Sequence, residues 1–193
     1  YLGVPDNGTN PMPASEPFTI ASCSWTTPLK RVMLNAEIIE KLDFPVKWIH
    51  IGDGNDMENL KAKTAQFPAH IQVELKGNLP LEDILELYRT VPIHFFMLLS
   101  ESEGGCPVSL QEAISFGIPV MGTEVGGIPE LVVEETGILL PSEVDVEKAA
   151  SLIAEFRESE KNNAAFRKGV KAFWAKHFEA EPNYLKLIDQ LSN

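Results

Sequence analysis

Along the chain, short runs of apolar residues alternate with longer segments in which apolar positions recur every three or four residues. The two periods separate strands from helices. Phe18-Thr19-Ile20-Ala21-Ser22-Cys23 reads as a buried strand, and Leu29, Val32, Met33, Ala36 and Ile39 then recur at helical spacing. Val46 to Ile51 is a second strand, ended by Gly52-Asp53-Gly54. A polar helix from about Met57 to Gln66 and a third strand, Ile71 to Leu75, follow. Leu81 to Tyr88 reads as a short helix and His94 to Leu99 as a fully apolar strand. Pro107 to Phe116 reads as a helix with proline at its first position and Gly117 at its end. Ile118 to Met121 and Gly137 to Leu140 make two more short strands. The remainder, from about Val144 to Leu191, is helical with breaks near Asn162 and Pro182.

Apolar strands that alternate with helices belong in a parallel sheet covered on both faces. The expected fold is therefore α/β, a Rossmann-like doubly wound parallel sheet with helices on both faces. Such sheets bind ligands beyond the carboxyl ends of their strands. That places the candidate site on the loops Ser24 to Leu29, Gly52 to Asp56, Gly77 to Pro80, Ser100 to Cys106 and Gly122 to Pro129.

Residues 1–17, with Pro5, Pro11, Pro13 and Pro17 among small polar residues, have the composition of a linker. Residues 18–175 form the expected Rossmann-like domain, and residues 176–193 a helical extension. A chain of 193 residues fits one such domain with short tails. It lacks an initiating Met, which leads us to expect a piece of a longer protein, and its start lacks the basic-then-apolar pattern of a signal peptide. No apolar run reaches the roughly 18 residues of a membrane span.

The net charge of −12 argues against nucleic acid and against direct adhesion of this segment to an anionic membrane. An anionic ligand would have to be held by a few local cations and by backbone amides. Cys23 and Cys106 make neither a disulfide framework nor a metal cluster and read as free thiols. His50, His70, His94 and His177 form no cluster and read as structural.

The stretch Ser100-Glu101-Ser102-Glu103-Gly104-Gly105-Cys106-Pro107-Val108-Ser109-Leu110-Gln111-Glu112-Ala113 carries the densest chemistry. It runs from an apolar strand through a glycine turn into a helix, whose free amides and dipole form an anion site. Gly104 and Gly105 allow a phosphate close to the backbone, beside Cys106 and the amides of Val108 and Ser109. Glu112 lies one turn into the helix, where a carboxylate can accept from two ribose hydroxyls. The dipole alone also favours acids near a helix start.

Glu103 to Ala113, then Ser115-Phe116-Gly117-Ile118-Pro119-Val120, then Glu124-Val125-Gly126-Gly127-Ile128-Pro129-Glu130-Leu131-Val132, resemble the signature of the retaining GT-B family called glycosyl transferases group 1. The match runs from Ser100 to Leu140, with weaker similarity over Phe18 to Gly54 and Trp174 to Tyr184. The resemblance implies the C-terminal half of a two-domain, metal-independent bacterial glycosyltransferase. Its ligand would be a nucleotide-diphosphate sugar, used as substrate with no cofactor. Its partner would be the N-terminal acceptor domain of the same protein, acting on a glycan or lipid-linked acceptor in polysaccharide biosynthesis. The setting implied is cytoplasmic, with contact to the inner membrane face open only through the missing domain.

Carried over by position, the second signature acid is Glu112, on the ribose. The first acid, which faces the donor sugar, is usually separated from the second by seven residues. Glu103 is separated from Glu112 by eight, so we read a one-residue insertion, with Glu101 as the fallback. The family's diphosphate-facing Lys falls on Lys30, and its Arg position is Ser24 here, leaving Arg31 as a substitute cation. As helix neighbours the two side chains would diverge by about 100°. Gly77-Asn78-Leu79 resembles the loop that reads the base, with Leu79 covering it. Gly52 is a candidate phosphate contact for which a plain turn is the stronger alternative, and Gly126-Gly127 either shape the cleft floor or make a tight turn.

Two other classes of function compete with sugar transfer. A regulatory nucleotide-binding module of the receiver type would want clustered acids where Ser22-Cys23-Ser24 stand. A sugar-nucleotide epimerase shares the GT-B architecture but carries a different signature around Glu112 to Gly117.

Overall fold

A computed structural model of the chain describes residues 3–192. Six parallel strands form one sheet: β1 (Phe18–Cys23), β2 (Val46–Ile51), β3 (Ile71–Leu75), β4 (Phe95–Leu98), β5 (Val120–Thr123) and β6 (Gly137–Leu140). The helices are α1 (Val32–Glu40), α2 (Met57–Thr64), α3 (Leu81–Thr90), α4 (Val108–Ser115), α5 (Ile128–Leu131), α6 (Val146–Glu158), α7 (Ala164–His177) and α8 (Ala180–Ser192). Strand order is β3-β2-β1-β4-β5-β6, the doubly wound arrangement expected of the alternating pattern.

Successive strand residues face opposite sides, and here both sides are dry. Phe18, Ile20, Trp48, Phe95 and Met97 pack with Ala36, Ile39 and Ile153 on one face. Ala21, Ile49, Phe96 and Leu98 pack with Leu110, Ile114, Val170 and Trp174 on the other.

Several boundaries differ from the sequence reading. Leu29 does not belong to α1: Pro28–Lys30 is a single 3-10 turn, Arg31 adopts the left-handed conformation at φ 47° and ψ 41°, and α1 starts at Val32. A spacing of three between Leu29 and Val32 suits either kind of turn, so the period alone did not reveal the break. Pro107 lies outside α4, with φ −60° and ψ 130°. Proline fixes φ but leaves ψ open, and the extended ψ makes it the cap residue. Asn162 lies in a break, at 159–163, but Pro182 sits inside the first turn of α8, where a missing N–H costs nothing. The short helix α5 lies in the segment read as a loop.

The proline-rich segment runs along the body of the domain. Val4 N–H donates to Phe178 O at 3.0 Å, and Ala180 N–H returns a bond to Val4 O at 3.1 Å. Asn10 is buried. Its Nδ2 donates to Tyr88 O at 2.6 Å and Val91 O at 2.8 Å, while its Oδ1 accepts from Ile93 N at 3.0 Å and Arg167 Nη2 at 2.6 Å. One amide side chain thus joins the segment, the turn before β4 and α7. Asn10→Ala would orphan several buried donors and acceptors together and should lower stability by about 3 kcal/mol. Removing the exposed Asp6–Lys171 pair with Asp6→Ala should change it by less than about 1 kcal/mol. Urea denaturation of the two variants checks the contrast.

Candidate functional site

β1 and β4 are hydrogen-bonded neighbours, Ile20 opposite Phe95 and Ala21 opposite Phe96. From β1 the chain passes to β2 on one side, whereas from β4 it passes to β5 on the other. Their following loops therefore part and leave a crevice at the carboxyl edge.

The loop after β1 is laced to its neighbours. Ser24 N–H donates to Ile51 O and Thr26 N–H to Asp53 O, both at 3.0 Å, and Asp56 N–H returns to Thr26 O at 3.1 Å. These approaches need glycine: a Cβ on Gly52, at φ 137°, would lie 1.9 Å from Ser24 O, and one on Gly54 would lie 2.4 Å from Thr26 O. The Gly52 amide donates to Gly77 O at 2.9 Å, so it is already engaged in joining this loop to the one before Asn78 and the half-buried Leu79. Beneath the joint, His50 bonds Ser22 Oγ at 2.9 Å and Thr26 Oγ1 at 3.0 Å, and burial holds its pKa down at about 4. Trp25 projects from this braced loop with 63% exposure, while Trp48 and Trp174 are fully buried.

Across the crevice, Glu101 N–H donates to Leu29 O at 2.8 Å and ties the loop after β4 to the 3-10 turn. That contact brings Lys30 Nζ to 2.5 Å from Glu103 Oε1, which also accepts from Ser100 Oγ at 2.6 Å. Lys30 and Glu103, distant in sequence, are therefore one ion pair, and their side chains are only 23% and 11% exposed. Arg31 is not with them. Its left-handed backbone turns the guanidinium to Ser142 O, at 2.8 Å, in the loop after β6, two strands beyond β4. The two cations are thus separated by a break in the backbone and not merely by the turn of a helix.

Two pairs of glycines in this region differ in what surrounds them. A Cβ on Gly126 would lie 2.0 Å from Glu103 O, and one on Gly127 would lie 2.4 Å from Gly105 C, so these residues press directly on the loop after β4. Gly104 and Gly105 face open space, with nothing within 4 Å of where a Cβ would stand. Packing does not require glycine at 104 or 105, and the room beside them is what a close ligand would use.

α4 starts without a side-chain cap. The first intrahelical acceptor is reached only by Gln111 N, which donates to Pro107 O at 3.2 Å, so the amides of Val108, Ser109 and Leu110 form the unsatisfied first turn. Because Pro107 lies outside the helix, it removes none of these donors. Cys106 is held by its Sγ on Gly127 O at 3.6 Å and by Gln111 Nε2 on its carbonyl at 3.0 Å.

Glu112 follows on the buried side of α4, 8% exposed. Burial alone raises its pKa from 4.5 to about 7, with no opposing cation or donor among the described residues. The Cys23 thiol at the end of β1 is pushed up to about 11, by burial first and then by the charge of Glu112, and it lies beside the buried Tyr88 hydroxyl. Sequence reasoning did not connect Cys23 and Tyr88 with Glu112; the end of a central strand facing the helix after its neighbour was the available signal. Among the described residues no three His, Cys, Asp or Glu side chains converge to hold a metal ion.

A cation–carboxylate pair, an uncapped helix start and a second buried acid, all at one switch point, define an α/β domain suited to an anionic, hydroxyl-bearing ligand. The profile described as "Glycosyl transferases group 1" matches residues 17–173, and the chain belongs to that family. It is 31% identical over 113 residues to the amylovoran biosynthesis glycosyltransferase AmsK of Erwinia amylovora, covering 57% of this chain and 28% of that protein. It is 27% identical over 174 residues to the putative colanic acid biosynthesis glycosyltransferase WcaL of Escherichia coli, covering 85% and 43%. Among solved structures, Anabaena HepE in complex with UDP-glucose superposes with a TM-score of 0.76 at 20% identity, covering 92% of this chain and 49% of that one. The fold is that of the GT-B glycosyltransferases, and the chain spans less than half the length of these relatives.

The Glu112 shift has a stability consequence. Between its ordinary value and about 7, the folded chain keeps a proton that the unfolded chain has released, so the Glu112 contribution to stability falls as pH rises through that window. Glu112→Gln should stabilise the ligand-free protein by about 2 kcal/mol at pH 8 and leave it nearly unchanged at pH 4. Urea titrations of both proteins at the two pH values measure the difference.

Proposed function

We propose that this chain is the donor-binding half of a metal-independent retaining glycosyltransferase, which moves a sugar from a nucleotide-diphosphate sugar to a glycan or lipid-linked acceptor. The observation that carries the proposal is the meeting of Lys30 and Glu103 across the switch-point crevice, beside the open amides of α4. The diphosphate sits against Gly104, Gly105 and the amides of Val108 and Ser109, with Lys30 as its cation. The bond between the sugar's anomeric carbon and the diphosphate oxygen breaks as an acceptor hydroxyl oxygen bonds that carbon and passes its proton to the departing diphosphate, and fixed donors stabilise the charge that grows on the leaving group. Lys30 and those amides take the place that a divalent cation would otherwise fill. Glu103 holds donor-sugar hydroxyls, Glu112 accepts from the ribose hydroxyls, and Leu79 covers the base.

The acceptor site belongs to the N-terminal domain of the whole protein, and the setting is the bacterial cytoplasm, where polysaccharide precursors are assembled. No helix among the described residues is long and apolar enough to cross a membrane. Rates gained from proximity require both reactants to be held together, so this half alone binds donor without turning it over.

The isolated chain should bind a matching nucleotide-diphosphate sugar with a Kd on the order of 0.1–1 mM, unchanged by EDTA, with no transfer to acceptor. Lys30→Ala should weaken binding by about 1.5–3 kcal/mol, the scale of a charged hydrogen bond, and Arg31→Ala by less. Calorimetry with uridine, guanosine and adenosine diphosphate sugars tests this. Absence of binding at millimolar concentration, or equal losses in the two variants, would sink the assignment of Lys30.

A further inference from the structure

Glu103 and Lys30 differ in their freedom to move. The Glu103 backbone is pressed by Gly126, whose absent Cβ would lie 2.0 Å from Glu103 O and 2.9 Å from Glu103 Cβ. Its Oε1 is held by Ser100 Oγ, and Ser100 is itself fully buried with its carbonyl bonded by Thr123 Oγ1 at 2.6 Å. The carboxylate is therefore a fixed charge, 11% exposed. Lys30 stands on one 3-10 turn at the end of a flexible stem, and Glu103 is its ion-pair partner among the described residues. Of the two, Lys30 is the one that can swing.

We propose that this pair makes the crevice distinguish a loaded donor from a spent one, an inference that rests on the donor-binding reading above. When a diphosphate draws Lys30 away, Glu103 keeps only Ser100 in a largely dry position. Losing the partner of a part-buried charge is costly unless new donors replace it. The hydroxyls of an attached sugar are such donors. A bare nucleoside diphosphate brings no donor there and adds negative charge instead. The loaded donor thus exchanges one set of partners for another, whereas the spent nucleotide leaves Glu103 short. The site then favours uptake of donor and release of product through the same pair.

The test compares binding of uridine, guanosine and adenosine diphosphates with that of their glucose esters, by calorimetry on the intact chain and on Glu103→Gln. The glutamine keeps the size and the bond from Ser100 but no longer anchors the lysine by charge. In the unaltered chain the glucose ester should bind more tightly than the diphosphate alone. In Glu103→Gln the bare diphosphate should bind about tenfold more tightly than before, the scale of one charged hydrogen bond, and the advantage of the ester should shrink. Glu124→Gln removes one negative charge from an exposed position in the neighbouring loop. Its gain for the bare diphosphate should be less than about twofold, as for a screened surface charge. Equal gains in the two variants would overturn the proposal by reducing it to general charge. Unchanged or weaker diphosphate binding in Glu103→Gln, with melting curves showing both proteins folded, would show that Lys30 serves both anions at once and would overturn it alone. Failure of every nucleotide to bind the unaltered chain would overturn the donor-binding reading and this proposal together.

Discussion

β1 and β4 lie side by side in the sheet, yet the chain leaves them toward opposite edges. No short connection can bridge the gap above them, and the space must be closed by whatever the two following loops contribute. The rest of the site depends on this constraint. It brings the 3-10 turn after β1 against the loop after β4, sets Lys30 on Glu103, and points the uncapped start of α4 into the same opening. The remaining loops brace this geometry, the one after β2 through Gly52 and Gly54 and the one after β5 through Gly126 and Gly127.

Much of this was legible in the sequence because the strands are buried on both faces. A short run of apolar and small residues such as Phe18 to Cys23 has one stable place in an α/β fold, a buried central strand, and its ends coincide with those of β1. The glycine turn into a helix was legible for an equally direct reason, and α4 starts directly after Pro107. What escaped were features decided by a single dihedral or by a distant partner. Arg31 carries an ordinary cationic side chain at a left-handed position, which no composition signals. The extended ψ of Pro107 is likewise invisible, since its φ suits a helix and a cap alike. The segment before Pro17 has a linker's composition, and what fixes its place are distant partners, Phe178 and Ala180 on Val4 and the convergence of Tyr88, Val91, Ile93 and Arg167 on Asn10.

The chain gives up stability at the points where chemistry is assigned. Glu112 is buried with no opposing cation or donor among the described residues, and the first amides of α4 are left without acceptors. Gln111 Oε1 is a further buried acceptor without a partner. Against these stand the dense apolar packing on both faces and the buried pair Asn10 and Arg167, bonded to each other and both bonded to Ile93. Open donors and acceptors at the crevice are what a preorganised binding site requires, although Asn35 Oδ1 on α1 and Trp174 Nε1 on α7, elsewhere in the fold, also lack partners among the described residues.

The contrast between the two glycine pairs bears on how such a loop can change over evolutionary time. The loop after β4 is wedged by Gly126 at Glu103 and by Gly127 at the Gly105 carbonyl, while the side-chain positions of Gly104 and Gly105 face empty space. An added residue can bulge outward on the slack side while the wedged side holds its acid in place. The eight residues between Glu103 and Glu112 then leave the contacts of Glu103 undisturbed. Length at such a point is a nearly neutral character, and the two ends of this loop are better matched to another chain by their contacts than by their spacing.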